Sequence, residues 1–209
     1  MATNTIESIY FDYRKATEYP PEYTLDFFTR NSIFFSNLKT FKDEEELKLY
    51  CELLYQNLSA LYQKGRYNDT VDTAKKILEF INAEIVRLKF RALDDDWYYG
   101  ILLFEGMALY NLRDYKASTN IFRRLTEHDK KNENFSDWLN YSLYGQRMWI
   151  SKTIAVLCGV LILIEIFFHR LIPSFFIRIS LDGVALIGLV STGIYDYYIK
   201  RSFRKAKQK

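Results

Sequence analysis

Two long apolar runs near the C-terminal end, Ile150–Phe168 and Phe175–Ile199, limit what this chain can fold into more than any other feature. A run of 19 residues spans about 28 Å as a helix, the thickness of a bilayer hydrocarbon core. A short break, His169-Arg170-Leu171-Ile172-Pro173-Ser174, separates them, and a basic tail follows. The pattern predicts a membrane hairpin that anchors a soluble domain. The alternative is a pair of buried helices in a soluble bundle. Against it stands the lack of any amphipathic period, since both runs are apolar on every face.

Charge distribution orients the hairpin. Arg147 and Lys152 flank the start of the first run, and Lys200, Arg201, Arg204, Lys205, Lys207 and Lys209 follow the second. The connecting segment carries only Arg170 and Arg178. The Lys/Arg bias therefore places the N-terminal domain and the tail on the cytoplasmic side, at the inner membrane if the chain is bacterial. The first residues show neither a basic nor an apolar signal region, so no secretory signal is expected. Cys51 and Cys158 form no disulfide framework and fit a reducing compartment. The net charge of +3 resides largely in the tail. It points to anionic lipid head groups rather than nucleic acid.

Glu165 and Asp182 fall at or near membrane depth, where an ionisable group marks a functional position unless it reaches the interface. Arg178 and Asp182 are spaced to pair along one helix face. Ala155-x-x-x-Gly159 and Gly188-x-x-x-Thr192 are small-residue spacings that permit close packing, within the hairpin or between copies.

Between residues 22 and 172 there is no proline, which favours long helices. Thr40 to Asp43 followed by Glu44-Glu45-Glu46 reads as a capped, acidic helix start. Apolar residues then recur at helical spacing from Leu47 to Tyr62, and Gly65 to Asp69 reads as a turn. Val71 to Leu88 continue the period in a second helix. The plan recurs 48 residues later: Trp97–Tyr110, a turn at Leu112-Arg113-Asp114-Tyr115, then Ala117 to Leu125. Self-similarity at a fixed offset is the mark of stacked helical hairpins.

The stretch Gly106 to Leu125 resembles the tetratricopeptide repeat (TPR) family. Gly106 falls on that family's small residue in the first helix, Tyr115 on the aromatic after the turn and Phe122 on the aromatic of the second helix. Ser118 takes a position usually smaller, and the first copy departs at Leu58, Thr70 and Ala74. The resemblance covers residues 44–132 and implies an all-α fold, a TPR-like hairpin stack followed by two transmembrane helices. It also implies a concave groove lined by Tyr55, Ser59, Tyr62, Gln63, Leu103, Met107, Tyr110 and Asn111. These are aromatic or uncharged, which fits an apolar or aromatic segment of a protein partner. Alternatively the tyrosines pack Phe27, Phe28, Phe34 and Phe35 of the N-terminal segment. The expected organisation is an N-terminal segment and capping helix at 1–42, the helical domain at 43–148, the hairpin at 149–199 and the cytoplasmic tail at 200–209. Within it, Glu22–Leu38 reads as one helix and Ser136 as the N-cap of a closing helix.

No phosphate loop, Cys-x-x-Cys pair or His-Glu-x-x-His motif is present, so no catalytic residue, metal or cofactor is assigned. Asp94-Asp95-Asp96 reads as an acidic helix start. Arg123 and His128 resemble the Arg-x-x-x-x-His motif of HEPN-type ribonucleases and their inactive relatives in bacterial defence systems, a short pattern that also arises without function. The leading expectation is a non-enzymatic adaptor. In outline it is similar to tail-anchored organelle-division adaptors, from which the second run departs. The alternatives are an oligomeric membrane-perturbing effector of a defence system and a membrane-borne ribonuclease.

Overall fold

The computed structural model describes residues 5–16, 18–89, 96–168 and 175–206. The described residues are helical, without strands: α1 Ile6–Arg14, α2 Pro21–Arg30, α3 Ser32–Asn37, α4 Glu44–Gln63, α5 Tyr67–Leu88, α6 Asp96–Asn111, α7 Tyr115–His128, α8 Glu133–Phe168 and α9 Phe175–Ala206. The chain divides into two compact units, Met1–Leu139 and Asn140–Lys209.

In the first unit α4 is the axis. It packs against α1, α2, α5 and α6; α5 also packs on α6, and α6 on α7. Its buried residues include Leu47, Leu53, Leu54, Leu58 and Leu61, a set too wide for one stripe and suited to a helix covered on several sides. Asp43 caps it, accepting from the Glu46 N–H at 3.0 Å, while Glu46 accepts from the Lys42 N–H at 2.8 Å.

The two hairpins repeat atom for atom at their turns. The Arg66 N–H donates to Leu61 at 3.0 Å and the Gly65 N–H to Tyr62 at 2.9 Å. Their counterparts, Asp114 to Leu109 at 2.9 Å and Arg113 to Tyr110 at 3.0 Å, keep the same offset. Both are left-handed helix ends, with φ of 69° at Gly65 and 65° at Arg113. At the helix crossing the second copy sets Gly106 against Phe122. A Cβ on Gly106 would lie 2.9 Å from the Phe122 ring, and the Ser118 hydroxyl donates to the Gly106 carbonyl at 2.9 Å. The first copy holds Leu58 and Ala74 at the equivalent positions, both fully buried. Large and small have changed places across the helix pair, so the departures read from the sequence keep the volume constant.

Several boundaries differ from expectation. Ile6–Arg14 is a helix, started by a reciprocal cap between Thr5 and Ser8. Glu22–Leu38 is two helices broken at Asn31, with Pro21 in the first turn of α2, where its missing N–H costs nothing. Asn132, rather than Ser136, caps α8: its side-chain oxygen accepts from the Asn134 N–H at 3.1 Å. The segment 1–42 does pack on the first hairpin: Ile6, Ile9, Tyr13 and Phe27 are buried in the core, and Tyr13 bonds to Thr24 at 3.0 Å. A clamp fixes the approach to α4. Glu84 accepts from the Phe41 N–H at 3.1 Å, and Arg87 holds both Glu84 and the Phe41 carbonyl.

Among the described residues, the one segment long and apolar enough to cross a membrane is Glu133–Ile164 of α8, in which an 18-residue stretch has a mean hydropathy of 1.8. The expected second span, in α9, does not reach that measure within the described residues. The α8–α9 seam is built from Ser151, Cys158, Ala185, Thr192 and Ile199, all buried. Gly188 lies against the Cys158 sulfur, whereas a Cβ on Gly159 would meet nothing within 4 Å. The expected Ala155/Gly159 stripe is thus rotated by one residue, because positions 151, 155 and 158 follow the helical period.

Candidate functional site

A cleft of about 470 Å³ opens in the first unit. Tyr55 and Gln56 of α4, Trp97, Tyr99 and Leu103 of α6, and Phe135 at the start of α8 form much of its wall. Gly100 makes it possible: a Cβ there would sit 2.5 Å from the Tyr55 ring, so the absence of a side chain lets α4 and α6 approach. At the rim His128 lies flat on Tyr99, ring centroids 3.9 Å apart at 14°. The Trp97 indole nitrogen is buried without a hydrogen-bond acceptor, a donor aimed at no protein atom.

The sequence-predicted groove residues fall on adjoining faces of α4 and α6. Tyr55 and Leu103 line the cleft. Tyr62 packs on Tyr67 and Phe104 at 5.4 and 5.8 Å, and its hydroxyl accepts from the Asn111 amide at 3.0 Å. Gln63 donates to Ser59 at 3.1 Å, and Asn111 also donates to the Met107 carbonyl at 2.9 Å. Tyr110 stands edge-on to Tyr115 and Trp138 at 5.4 and 5.5 Å. Gln63 and Asn111 are exposed, and the other six are half-buried. Phe27, Phe28 and Phe35 instead stack around Tyr13 and Tyr50 on another face of α4.

Three carboxylates near these elements have different surroundings. Glu52, at the edge of the cleft, accepts from the Tyr10 hydroxyl at 3.0 Å and lies 4.0 Å from Arg14. Burial, then Glu52, pushes the Tyr10 phenol up. Glu105 is buried on α6, and burial raises its carboxyl against the pull of Lys75 and Arg124. Arg87 holds the Glu84 carboxyl below its ordinary range.

Arg123 and His128 are both exposed on α7, which is helical through His128. Five positions on an unbroken helix turn about 140° around its axis, so the two side chains diverge. Among the described residues no cluster of three or more His, Cys, Asp or Glu side chains could hold a metal. Asp94, Asp95 and the side chains of Asp96, Glu165 and Arg178 lie outside the described residues; Asp182 is exposed on α9. Sequence reasoning missed Trp97, Tyr99, His128 and Phe135 as cleft residues, although the aromatic run Trp97-Tyr98-Tyr99 marks the place. The cleft wall carries aromatic faces and side-chain amides. No protein-family model matches this chain, and no curated protein or solved structure does either.

Proposed function

We propose that this chain is a membrane-anchored, TPR-like interaction module whose α4–α6 face captures a protein segment at the cytoplasmic surface. The observation that carries this reading is the cleft beside that face. Its aromatic lining fits an apolar or aromatic peptide. The matched turns at Gly65 and Arg113 support the repeat register. Uncovered apolar side chains on α8 and α9 support the anchor, with both helices in the bilayer and the basic tail against anionic head groups.

The test is photo-crosslinking in membranes from side chains placed at Gln63 and Met107, with Lys76 on α5 as an outside control. Crosslinks to one partner from the first two positions, lost in Leu103→Asp with an unchanged melting temperature, are the expected result. Equal crosslinking from all three positions refutes the groove.

A second reading, an oligomeric membrane effector, draws on Asp182. Its side chain is exposed on α9, an ionisable group that a neighbouring copy can satisfy. The detergent-corrected mass decides: a closed ring favours the effector, a monomer or dimer the anchored adaptor.

A further inference from the structure

The contact between Cys158 and Gly188 fixes how α8 and α9 lie along one another. From that contact α8 runs 10 residues on to Phe168, and α9 runs 13 residues back to Phe175. Those are about 15 Å and 20 Å of helix. The residues between can bridge at most about 25 Å, so the two segments leave the contact in the same direction and the helices are antiparallel. A parallel pair would require a link of about 35 Å.

This register sets heights. Trp149 precedes Cys158 by 9 residues and Tyr197 follows Gly188 by 9, so both stand about 13.5 Å from the contact, on the same side. Tyr195 and Tyr198 flank that level. All four rings are exposed, Trp149 at 57% and Tyr198 at 63%. Between this level and its mirror at Phe167 the outward surface is mainly aliphatic: Ile154, Leu157, Leu161, Val184, Ile187 and Val190 are exposed, with Lys152, Thr153, Asp182 and Ser191 among them. The slab is about 27 Å thick, close to a hydrocarbon core. Beyond the rings stand Arg147 and Arg201, both exposed. Lys152 lies about 9 Å from the contact, within reach of the ring level along its own stem. Asp196 lies within one residue of the ring level, and Asp182 is about 4.5 Å inside the opposite one.

We propose that Trp149, Tyr195, Tyr197 and Tyr198 form a collar seated among the lipid head groups of one leaflet. The collar holds α9 at the same depth as α8. Indole and phenol rings prefer this layer because one end is apolar and the other bonds to water and head groups. Arg147 and Arg201 sit just outside it, where anionic head groups attract them. This inference rests on the membrane anchor proposed above and adds its depth and the lipid layer it grips.

Depth-dependent quenching tests it. The full chain is reconstituted in vesicles of phosphatidylcholine and phosphatidylglycerol with bromine near the head group or near the chain ends. The Trp149 signal is the difference between wild type and Trp149→Phe. In the Trp149→Phe background, Tyr198→Trp reads α9 at the collar and Ile187→Trp reads the core. Head-group bromine is expected to cause the larger loss of emission at Trp149 and at Tyr198→Trp, and chain-end bromine the larger loss at Ile187→Trp. If either collar position is quenched more by chain-end bromine or by neither, or Ile187→Trp more from the head-group side, the collar is wrong while flotation with the vesicles keeps the anchor. If the full chain does not float with vesicles, the anchor fails and the collar with it.

Discussion

Gly106 is where the repeat register can be tested most severely. A Cβ there would stand 2.9 Å from two Phe122 ring carbons and 3.2 Å from Ile121. The ring cannot retreat, because Phe122 is fully buried and stacked on Trp138 at 5.7 Å and 12°. Gly106→Leu therefore overpacks the crossing, at about 1–3 kcal/mol. It also strains the Ser118–Gly106 bond, about 1 kcal/mol, and regains about 1 kcal/mol of helix propensity. The net loss is about 1–3 kcal/mol, or roughly 3–9 °C in melting temperature for a unit of this size. Far-ultraviolet circular dichroism of the full chain in mild detergent measures it. A double-mutant cycle of Gly106→Ala with Phe122→Leu isolates the cause, since removing the ring should recover about 1 kcal/mol. An unchanged melting temperature for Gly106→Leu, or a cycle without coupling, refutes the close approach and with it the alignment of the two hairpins.

The exchanged pair makes the complementary prediction. Leu58→Gly and Ala74→Phe each destabilise, the first by about 3–5 kcal/mol, yet the double variant should lose at least about 1 kcal/mol less than their sum, measured by chemical denaturation. Arg113 holds φ at 65° at a cost of about 1–2 kcal/mol. Arg113→Gly should therefore stabilise by about 0.5–1 kcal/mol after glycine's added chain entropy. Gly65→Ala should destabilise by about 1 kcal/mol through the backbone alone, since its Cβ would meet nothing within 4 Å; equal melting temperatures for the two variants would contradict both. The Glu84 carboxyl lies below its ordinary range because Arg87 and the Phe41 N–H bind the charged form. Its contribution is present above the unfolded-state value, about 4.3, and is lost as pH falls through the lower folded value. The melting-temperature gap between wild type and Glu84→Gln should shrink from neutral to strongly acidic pH, and a constant gap would show that the charge is not involved.

The fold was legible wherever a local rule was also the tertiary rule. Helical periodicity placed α4 to α7 because each must bury a face against the next, and the 48-residue offset reappears in the hydrogen bonds of both turns. Legibility failed where one residue decided between two local rules. Ser136 has the chemistry of an N-cap, but Asn132 lies one turn earlier and takes the role. The reciprocal Thr5–Ser8 cap and the Ile6, Ile9, Tyr13 spacing announce α1 in retrospect. They were overlooked because the helix is short and draws its stability from docking on α4 rather than from propensity.

The candidate site was half legible, for a reason that lies in what a repeat encodes. Of the residues that the resemblance expects on a groove, Tyr55 and Leu103 line the cleft. The resemblance says nothing about where the helices leave an opening. The cleft exists because Gly100 draws the two helices together on one side of Tyr55, while the α7–α8 junction brings His128 and Phe135 to the same opening. None of these residues occupies a position that the resemblance rests on, and Phe135 lies beyond the second hairpin. The same logic governs the second unit. Hydropathy counts side chains along one helix, so it marks both apolar runs without saying how they meet. The Cys158–Gly188 contact between α8 and α9 is a property of the pair. In both units the functional geometry arises between elements, at a glycine that admits a neighbour, and the sequence marks that glycine without marking what it will meet.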